Sequence, residues 1–342
     1  MRTFLVEGCL GSSRVITGGA LSDLEKLCPR PPSAVITDTN VRELYGEIFP
    51  PAPVIVVAPG EKSKSLSEVE GVLRRLSDLE IGRDGFVLGI GGGMVSDLTG
   101  FCASVYLRGI GFGFVPTTLL AQVDAAVGGK NGVNLDGYKN LVGTITQPSF
   151  VLCVGDFLRS LDPDLLRAGL SECVKAGAIA DGELFELIES ESEALLGGEP
   201  ALLEEVVEKA VAVKVAVVNE DERESGCRRL LNFGHTFGHA LEKVTGIPHG
   251  EAVSMGMALA GRLSVARGLL SEDEEKRLTA TLVALGLPVS LEGDPAPVLE
   301  ALRRDKKRTQ EDIRFILLAA LGRAAEVPIS LEELSEVLLD LR

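Results

Sequence analysis

Phe86-Val87-Leu88-Gly89-Ile90 runs straight into Gly91-Gly92-Gly93-Met94-Val95-Ser96-Asp97, where a helical pattern begins. The first five residues are apolar and unalternating, as a strand buried on both faces of a parallel sheet reads. Three glycines then allow backbone N–H groups to come close to a ligand, and the N-terminus of the following helix favours a phosphate at the same place. The stretch predicts strand, phosphate-accepting turn and helix. It lacks the G-x-G-x-x-G spacing, so a plain tight turn is the alternative reading. The same texture extends upstream: Ala34-Val35-Ile36-Thr37 and Val54-Ile55-Val56-Val57 read as buried strands, and Leu66, Val69, Val72, Leu73, Leu76 and Leu79 recur at helical spacing. Strands and helices in this rhythm predict a mainly parallel sheet that binds its ligand beyond the carboxyl ends of the strands.

From about Leu161 the texture turns to long helical patterns over 202–218, 230–244, 251–267 and 272–285, so the second half reads as all-helical. Pro148 and Pro163 break the chain in the stretch between Thr144 and Asp164. The expected organisation is an α/β nucleotide-binding domain over residues 1–155 and an all-α domain over 156–342. Against 34 basic residues stand 50 acidic ones, a formal net charge of −16 that disfavours nucleic acid as a partner. The apolar runs, such as Phe315 to Ala320, fall short of the ~18 residues that a membrane span needs. The N-terminus meets Glu7 and Gly8 too early for a signal-peptide apolar region, which leads us to expect a cytoplasmic protein. Six scattered cysteines with no C-x-x-C pair suit reduced thiols.

Asp38 and Asn40 follow the first buried strand, where Asp38 either binds ribose hydroxyls or caps the next helix. Pro59-Gly60-Glu61-Lys62-Ser63-Lys64 follows the second strand. Arg108-Gly109, Pro116 to Asp124, Gly128-Gly129-Lys130-Asn131 and Lys139-Asn140 concentrate glycine, hydroxyl, amide and basic groups in an acidic chain, as a surface for an anionic ligand would. All three histidines lie between 235 and 249. His235 and His239 stand at i, i+4 on one helix face, and His249 opens the next helix at Pro248-His249-Gly250-Glu251. Neutral imidazoles with one carboxylate suit a catalytic zinc site that keeps an open position. Spacing nominates His235 and His239 as the pair, by analogy with the H-E-x-x-H helix. The carboxylate is open on spacing grounds. Glu172 lies on an apolar helix where an unpaired acid is costly, and its alternative role is a buried ion pair with Lys175.

Taken together, PGEKSK (from Pro59), GGGMVSD (from Gly91), PTTLLAQVDAAVGGKNGVN (from Pro116), KN (from Lys139), SECVK (from Ser171), LNFGHTFGHALE (from Leu231), PHGEAVSMGM (from Pro248) and RDKK (from Arg304) resemble the 3-dehydroquinate synthase family of sugar phosphate cyclases. The resemblance covers most of the chain in family order. It implies an α/β nucleotide-binding domain, an all-α metal-binding domain, an active site in the cleft between them, and a homodimer. It assigns the metal, Zn2+ or Co2+, to Glu172, His235 and His249, in place of the pair that spacing suggests. His239 becomes a group just outside the metal ligands or a proton-handling group near the substrate phosphate. NAD is assigned to Asp38 and Asn40, Glu61, Lys62 and Lys64, Gly92, Gly93, Met94, Val95, Ser96 and Asp97, Thr117 and Thr118, Lys130 and Lys139, and the loop Phe157, Leu158, Arg159 and Ser160. The substrate is assigned to Asp124, Lys130, Asn140, Lys175, Lys214, Arg228, Asn232 and one of Lys306 or Lys307, with Arg108 reaching the neighbouring subunit.

Two departures from the family pattern stand out: Ala126 replaces a common serine, and Asp162-Pro163-Asp164-Leu165-Leu166 replaces a Leu-Pro-x-Arg-Glu run. The activity implied is conversion of 3-deoxy-D-arabino-heptulosonate 7-phosphate into 3-dehydroquinate and phosphate, a lyase step of the shikimate pathway to chorismate and the aromatic amino acids. The competing readings are a cyclase for another sugar phosphate, a metal-dependent polyol or glycerol dehydrogenase, and a non-catalytic NAD-binding protein. The GGKNGVN and KN segments favour the first activity, and the lysine and arginine set argues against a neutral polyol.

Overall fold

The structure, a computed structural model, describes residues 1–9, 11–291, 296–309, 313–330 and 332–335, with the side chains of 303–309 outside the description. The chain forms two compact units, the first comprising Met1–Leu161 with Lys214–Arg223 and the second Asp162–Val213 with Glu224–Arg342. Where the sequence puts one division at 155/156, the contacts put it at 161/162 and assign 214–223 to the first unit as well.

In the first unit β1 (Arg2–Gly8) pairs antiparallel with β2 (Gly11–Thr17). The chain continues through α1 (Leu24–Leu27), β3 (Ala34–Asp38), α2 (Thr39–Tyr45), β4 (Val54–Val57), α3 (Leu66–Asp78), β5 (Phe86–Gly91), α4 (Gly93–Val105), β6 (Gly111–Pro116), β7 (Lys130–Leu135), β8 (Tyr138–Ile145) and β9 (Phe150–Leu152). The main sheet has the order β1-β2-β9-β6-β5-β3-β4, and every pairing except that of β1 with β2 is parallel. All residues of β3 and β5 are buried, which is why their sequences do not alternate. Val35, Leu88, Ile90, Val115, Phe150 and Leu152 form the centre of this core. After β3 the chain places β4 on one side and β5 on the other, so the strand order reverses between β3 and β5. The crevice at such a reversal is where open α/β sheets bind ligands. Strands β7 and β8 form a separate antiparallel hairpin.

The second unit begins with α5 (Pro163–Ala180), α6 (Gly182–Ser190), α7 (Ser192–Leu196) and α8 (Pro200–Glu220), whose residues from Lys214 group with the first unit. It continues with α9 (His235–Thr245), α10 (His249–Ala266), α11 (Glu272–Ala284) and α12 (Ala296–Thr309). The departure at Asp162 serves the start of α5: its carboxylate accepts from Asp164 N–H at 2.8 Å, and Pro163 occupies a first-turn position. Two expectations change here. The pattern from Leu230 is not one helix, because a short 3₁₀ segment, Cys227–Asn232, ends before Gly234, whose φ of 78° interrupts the spiral ahead of α9. The helical second unit is also not all-α: β10 (Ile313–Ala320) and β11 (Arg323–Ile329) form an antiparallel hairpin turned at Gly322. A short apolar run such as Phe315 to Ala320 carries no period that separates a strand from a buried helix.

Candidate active site

Three helices of the second unit deliver Glu172, His235 and His249 to one point. Glu172 sits in the middle of α5 and is 1% exposed, and the two imidazoles open α9 and α10. Close approach of the helices requires glycine. A Cβ on Gly256 of α10 would lie inside the carbonyl of Gly234, and one on Gly250 would lie inside the backbone of Ala168 on α5. Glu172 Oε1 stands 3.3 Å from His249 Nε2 and 3.6 Å from His235 Nε2. Donors each held ~2.0–2.1 Å from a tetrahedral ion stand roughly 3.3 Å from one another, so the separations of Glu172 from the two imidazoles are close to those of neighbouring corners of a zinc site, and all three donor atoms lie within 4.8 Å of one another.

The outer nitrogens fit the same use. His235 Nδ1 lies 3.1 Å from the Phe233 carbonyl, which can only accept, so Nδ1 carries the proton and Nε2 offers its lone pair. His249 Nδ1 lies 3.2 Å from Glu242 Oε2. Burial, with the Lys175 ammonium beside it, pushes His235 down to about 3 and keeps it neutral. Burial also lowers His249, but hydrogen bonds to Glu172 and Glu242 outweigh it and carry the imidazole up to about 9. A positive charge at this point is therefore stabilised from both sides. The expected ion pair of Lys175 Nζ with Glu172 is present too, through Oε2, which leaves Oε1 facing the imidazoles. The ion pair foreseen for Glu172 thus leaves its other oxygen geometrically open to the imidazole group.

His239 and Asn232 line a cavity of ≈ 400 Å³ beside His235, together with Glu224, Arg229 and Arg314. Asn232 donates to Glu224 Oε1 at 2.6 Å, and Arg228 on the same 3₁₀ segment is only 2% exposed. His239, with Glu242 and His249, forms a second group of donor atoms within 4.8 Å of one another. The pairing of His235 with His239 that spacing nominates is a ring contact, with centroids 5.3 Å apart, and Glu172 groups with His249 instead. Sequence reasoning passes over Glu242, Glu224, Arg229, Arg314 and Glu326. Glu242 stands two turns beyond His235, so a same-face reading of α9 finds it. The Arg229 and Arg314 contacts to Glu326 cross from the 3₁₀ segment to β10 and β11 and leave no local signal.

In the first unit the residues assigned to the nucleotide follow the carboxyl ends of β3, β4, β5, β6 and β9, except Lys130 and Lys139, which lie on the β7–β8 hairpin. Asp38 ends β3 and caps α2, its carboxylate accepting from Val41 N–H at 3.0 Å, so the capping role is real. Asn40, in the first turn of α2, is exposed. Gly92 and Gly93 lead into α4, with Met94, Val95, Ser96 and Asp97 in its first turns. Thr117 N–H donates to Gly91 O at 2.9 Å, and Thr37 Oγ1 donates to Ile90 O at 2.7 Å, which ties the strand ends together at the reversal. Lys64 is 5% exposed and ion-paired with Asp97, while Lys62 faces outward. Burial lifts the Asp97 carboxyl to about 6 even though Lys64 pulls it down. Asn134 donates to Glu61 Oε1 at 2.8 Å and accepts from Asn140 N–H at 2.9 Å, so the last residue of the GGKNGVN segment, to which the sequence reading gives no role, links two candidate segments. Phe157 and Leu158 are buried, Arg159 is exposed, and the Ser160 hydroxyl meets that of Tyr45. Asp124, in a single π-type turn, ion-pairs with Lys214. Lys130, Lys139 and Asn140 are exposed on the β7–β8 hairpin. Arg108 is exposed with a φ of 69°. The side chains of Lys306 and Lys307 lie outside the described residues.

Residues 54–168 match the model of the 3-dehydroquinate synthase N-terminal region and residues 169–308 that of the C-terminal region. A 3-dehydroquinate synthase from Acidithiobacillus ferrooxidans is 41% identical over 347 residues, covering 96% of this chain and 95% of the relative. Among solved structures, the 2-epi-5-epi-valiolone synthase of Streptomyces hygroscopicus with NAD+ and Zn2+ bound is 30% identical at a TM-score of 0.87, covering 100% of this chain and 99% of its own. A 2-deoxy-scyllo-inosose synthase complexed with carbaglucose-6-phosphate, NAD+ and Co2+ is 28% identical at a TM-score of 0.87 over 100% of both chains. With both halves matched and curated relatives near 40% identity over almost the whole length, the chain belongs to the 3-dehydroquinate synthase family.

Proposed function

We propose that the protein converts 3-deoxy-D-arabino-heptulosonate 7-phosphate into 3-dehydroquinate and phosphate, a carbon–oxygen lyase acting in the shikimate pathway, as a cytoplasmic homodimer. The observation that carries this reading is the convergence of Glu172 with His235 and His249 at tetrahedral-site separations. Glu172, His235 and His249 would hold Zn2+ or Co2+, and the strand ends of the first unit, from Asp38 to Ser160, would hold NAD. The metal would supply Lewis acidity toward substrate hydroxyls and NAD reversible hydride transfer, so that the overall conversion would leave the nucleotide unchanged.

The chain's own residues supply position and charge. Lys175, 3% exposed and held by Glu172, keeps a cation beside the metal group without solvent to weaken it. Arg228 offers a planar set of donors for a phosphate or carboxylate, and Asn232 can donate to a hydroxyl. His239, exposed and one turn beyond His235, would move a proton at the phosphate end of the substrate. In the first unit Lys130, Asn140 and the Asp124–Lys214 pair would hold substrate oxygens, with Arg108 contributing to the partner's site. Against a polyol dehydrogenase, this cationic set serves an anionic substrate.

The test is to supply purified protein with zinc, NAD and the heptulosonate phosphate, and in parallel with sedoheptulose 7-phosphate and glucose 6-phosphate. Phosphate release from the first substrate alone, with no build-up of NADH, is expected. Release from another sugar phosphate would assign a related cyclase activity, and steady NADH from a simple polyol would refute the reading.

A further inference from the structure

Resting on the metal reading above, we propose that Glu242 is a positioning residue for that metal. It accepts the Nδ1–H of His249 and so fixes the tautomer and ring angle that present Nε2 beside Glu172 and His235. Glu242 Oε2 is 3.2 Å from His249 Nδ1, on the side of the ring away from Glu172. The two nitrogens of one imidazole diverge, so the ion reached by Nε2 is not the one that Glu242 would touch. The side chain of Glu242 is 9% exposed. It lies in the last turn of α9, where the carbonyl end of the helix disfavours an anion, so packing alone does not explain a carboxylate there. The contrast with His235 is instructive. Its outer nitrogen is oriented by a backbone carbonyl that no substitution removes, whereas the outer nitrogen of His249 depends on one side chain. Carboxylates in this relation to a ligating histidine set ring orientation and raise its basicity.

The experiment uses the full chain stripped of metal, titrated with Zn2+ against a chromophoric chelator and, separately, loaded with Co2+ for its visible spectrum. Glu242→Ala should weaken Zn2+ binding ~10–100-fold. Glu242→Gln, whose amide oxygen also accepts the Nδ1–H, should retain most of the affinity and the wild-type cobalt spectrum. Glu242→Asp keeps the charge but falls one methylene short, and should lose affinity as the alanine variant does. It also serves should Glu242→Ala not fold. Zn2+ affinity and the cobalt spectrum, rather than the melting temperature, are the deciding readouts, because Glu242 also holds the His249 imidazolium when no metal is bound. Unchanged affinity in Glu242→Ala, retention in Glu242→Asp with loss in Glu242→Gln, or X-ray absorption showing two carboxylates on the metal would each overturn the proposal. Failure of the metal reading itself is distinguishable, because the wild type would then bind no metal or His249→Ala would retain it.

Discussion

Asp97 gives the first unit a pH dependence of calculable size and sign. It stands in the second turn of α4 with 14% of its side chain exposed, and burial, opposed by Lys64, raises its carboxyl from 3.8 to about 6. At ~1.4 kcal/mol for each pH unit by which the midpoint moves, this displacement is worth roughly 3 kcal/mol. Because the native pKa is the higher one, the folded state binds the proton more tightly than the unfolded chain. The stabilising contribution is therefore complete below about pH 4 and is lost as the pH rises through about 6. The assay follows from composition: the chain has no tryptophan, and its three tyrosines, Tyr45, Tyr106 and Tyr138, all fall in the first unit. Tyrosine fluorescence during urea unfolding consequently reports that unit alone. Asp97→Asn replaces the titrating group by a neutral one of the same shape. Although it leaves Lys64 without this carboxylate at every pH, it removes the proton linkage. The stability of wild type minus that of Asp97→Asn should fall by roughly 2.5 kcal/mol between about pH 4 and pH 7. A difference constant to within ~0.5 kcal/mol would show that burial does not govern this carboxyl and would refute the reasoning.

Further outcomes follow from the second unit. His249→Ala should lose bound zinc and turnover together, whereas His239→Ala should keep its zinc and lose turnover, as metal analysis beside the phosphate-release assay will show; the reverse pattern would move the ligand assignment to the α9 pair. Glu172→Ala strips Lys175 of a buried carboxylate and should cost ~3–5 kcal/mol in the metal-free protein, of which Glu172→Ala/Lys175→Met should recover a large part in calorimetry. Gly256→Ala puts a methyl group into the Gly234 carbonyl, so it should lower both thermal stability and zinc retention by driving α10 away from the start of α9. Chelation of the metal should abolish phosphate release, and added Zn2+ should restore it.

How much of this is legible in the sequence depends on how local each cause is. The strands at 34 and 86 are readable because complete burial on both faces leaves an unalternating apolar run. The reversal between β3 and β5 is not, because it is a fact about which strand lies beside which. Spacing along one helix pairs His235 with His239, yet the group that closes uses Glu172 and His249, brought in by other helices through the contacts that Gly256 and Gly250 permit. The hairpin at 313–329 escapes for a different reason, since a short apolar run has no period to read. Charge behaves oppositely. A net of −16 argues against anionic partners, but net charge is a property of the surface, where solvent makes each charge cheap. Burying a charge is expensive unless something holds it. Among the described residues, the buried acidic and basic side chains are Asp38, Lys64, Glu172, Lys175 and Arg228, with His235 beside them. Lys64, Glu172, Lys175 and His235 fall within the motifs that carry the family resemblance, and Asp38 and Arg228 are positions that the same resemblance assigns to nucleotide and substrate. In an acidic chain, then, the few charges that the fold keeps from water coincide with the proposed site, and the many that it leaves outside describe only the surface.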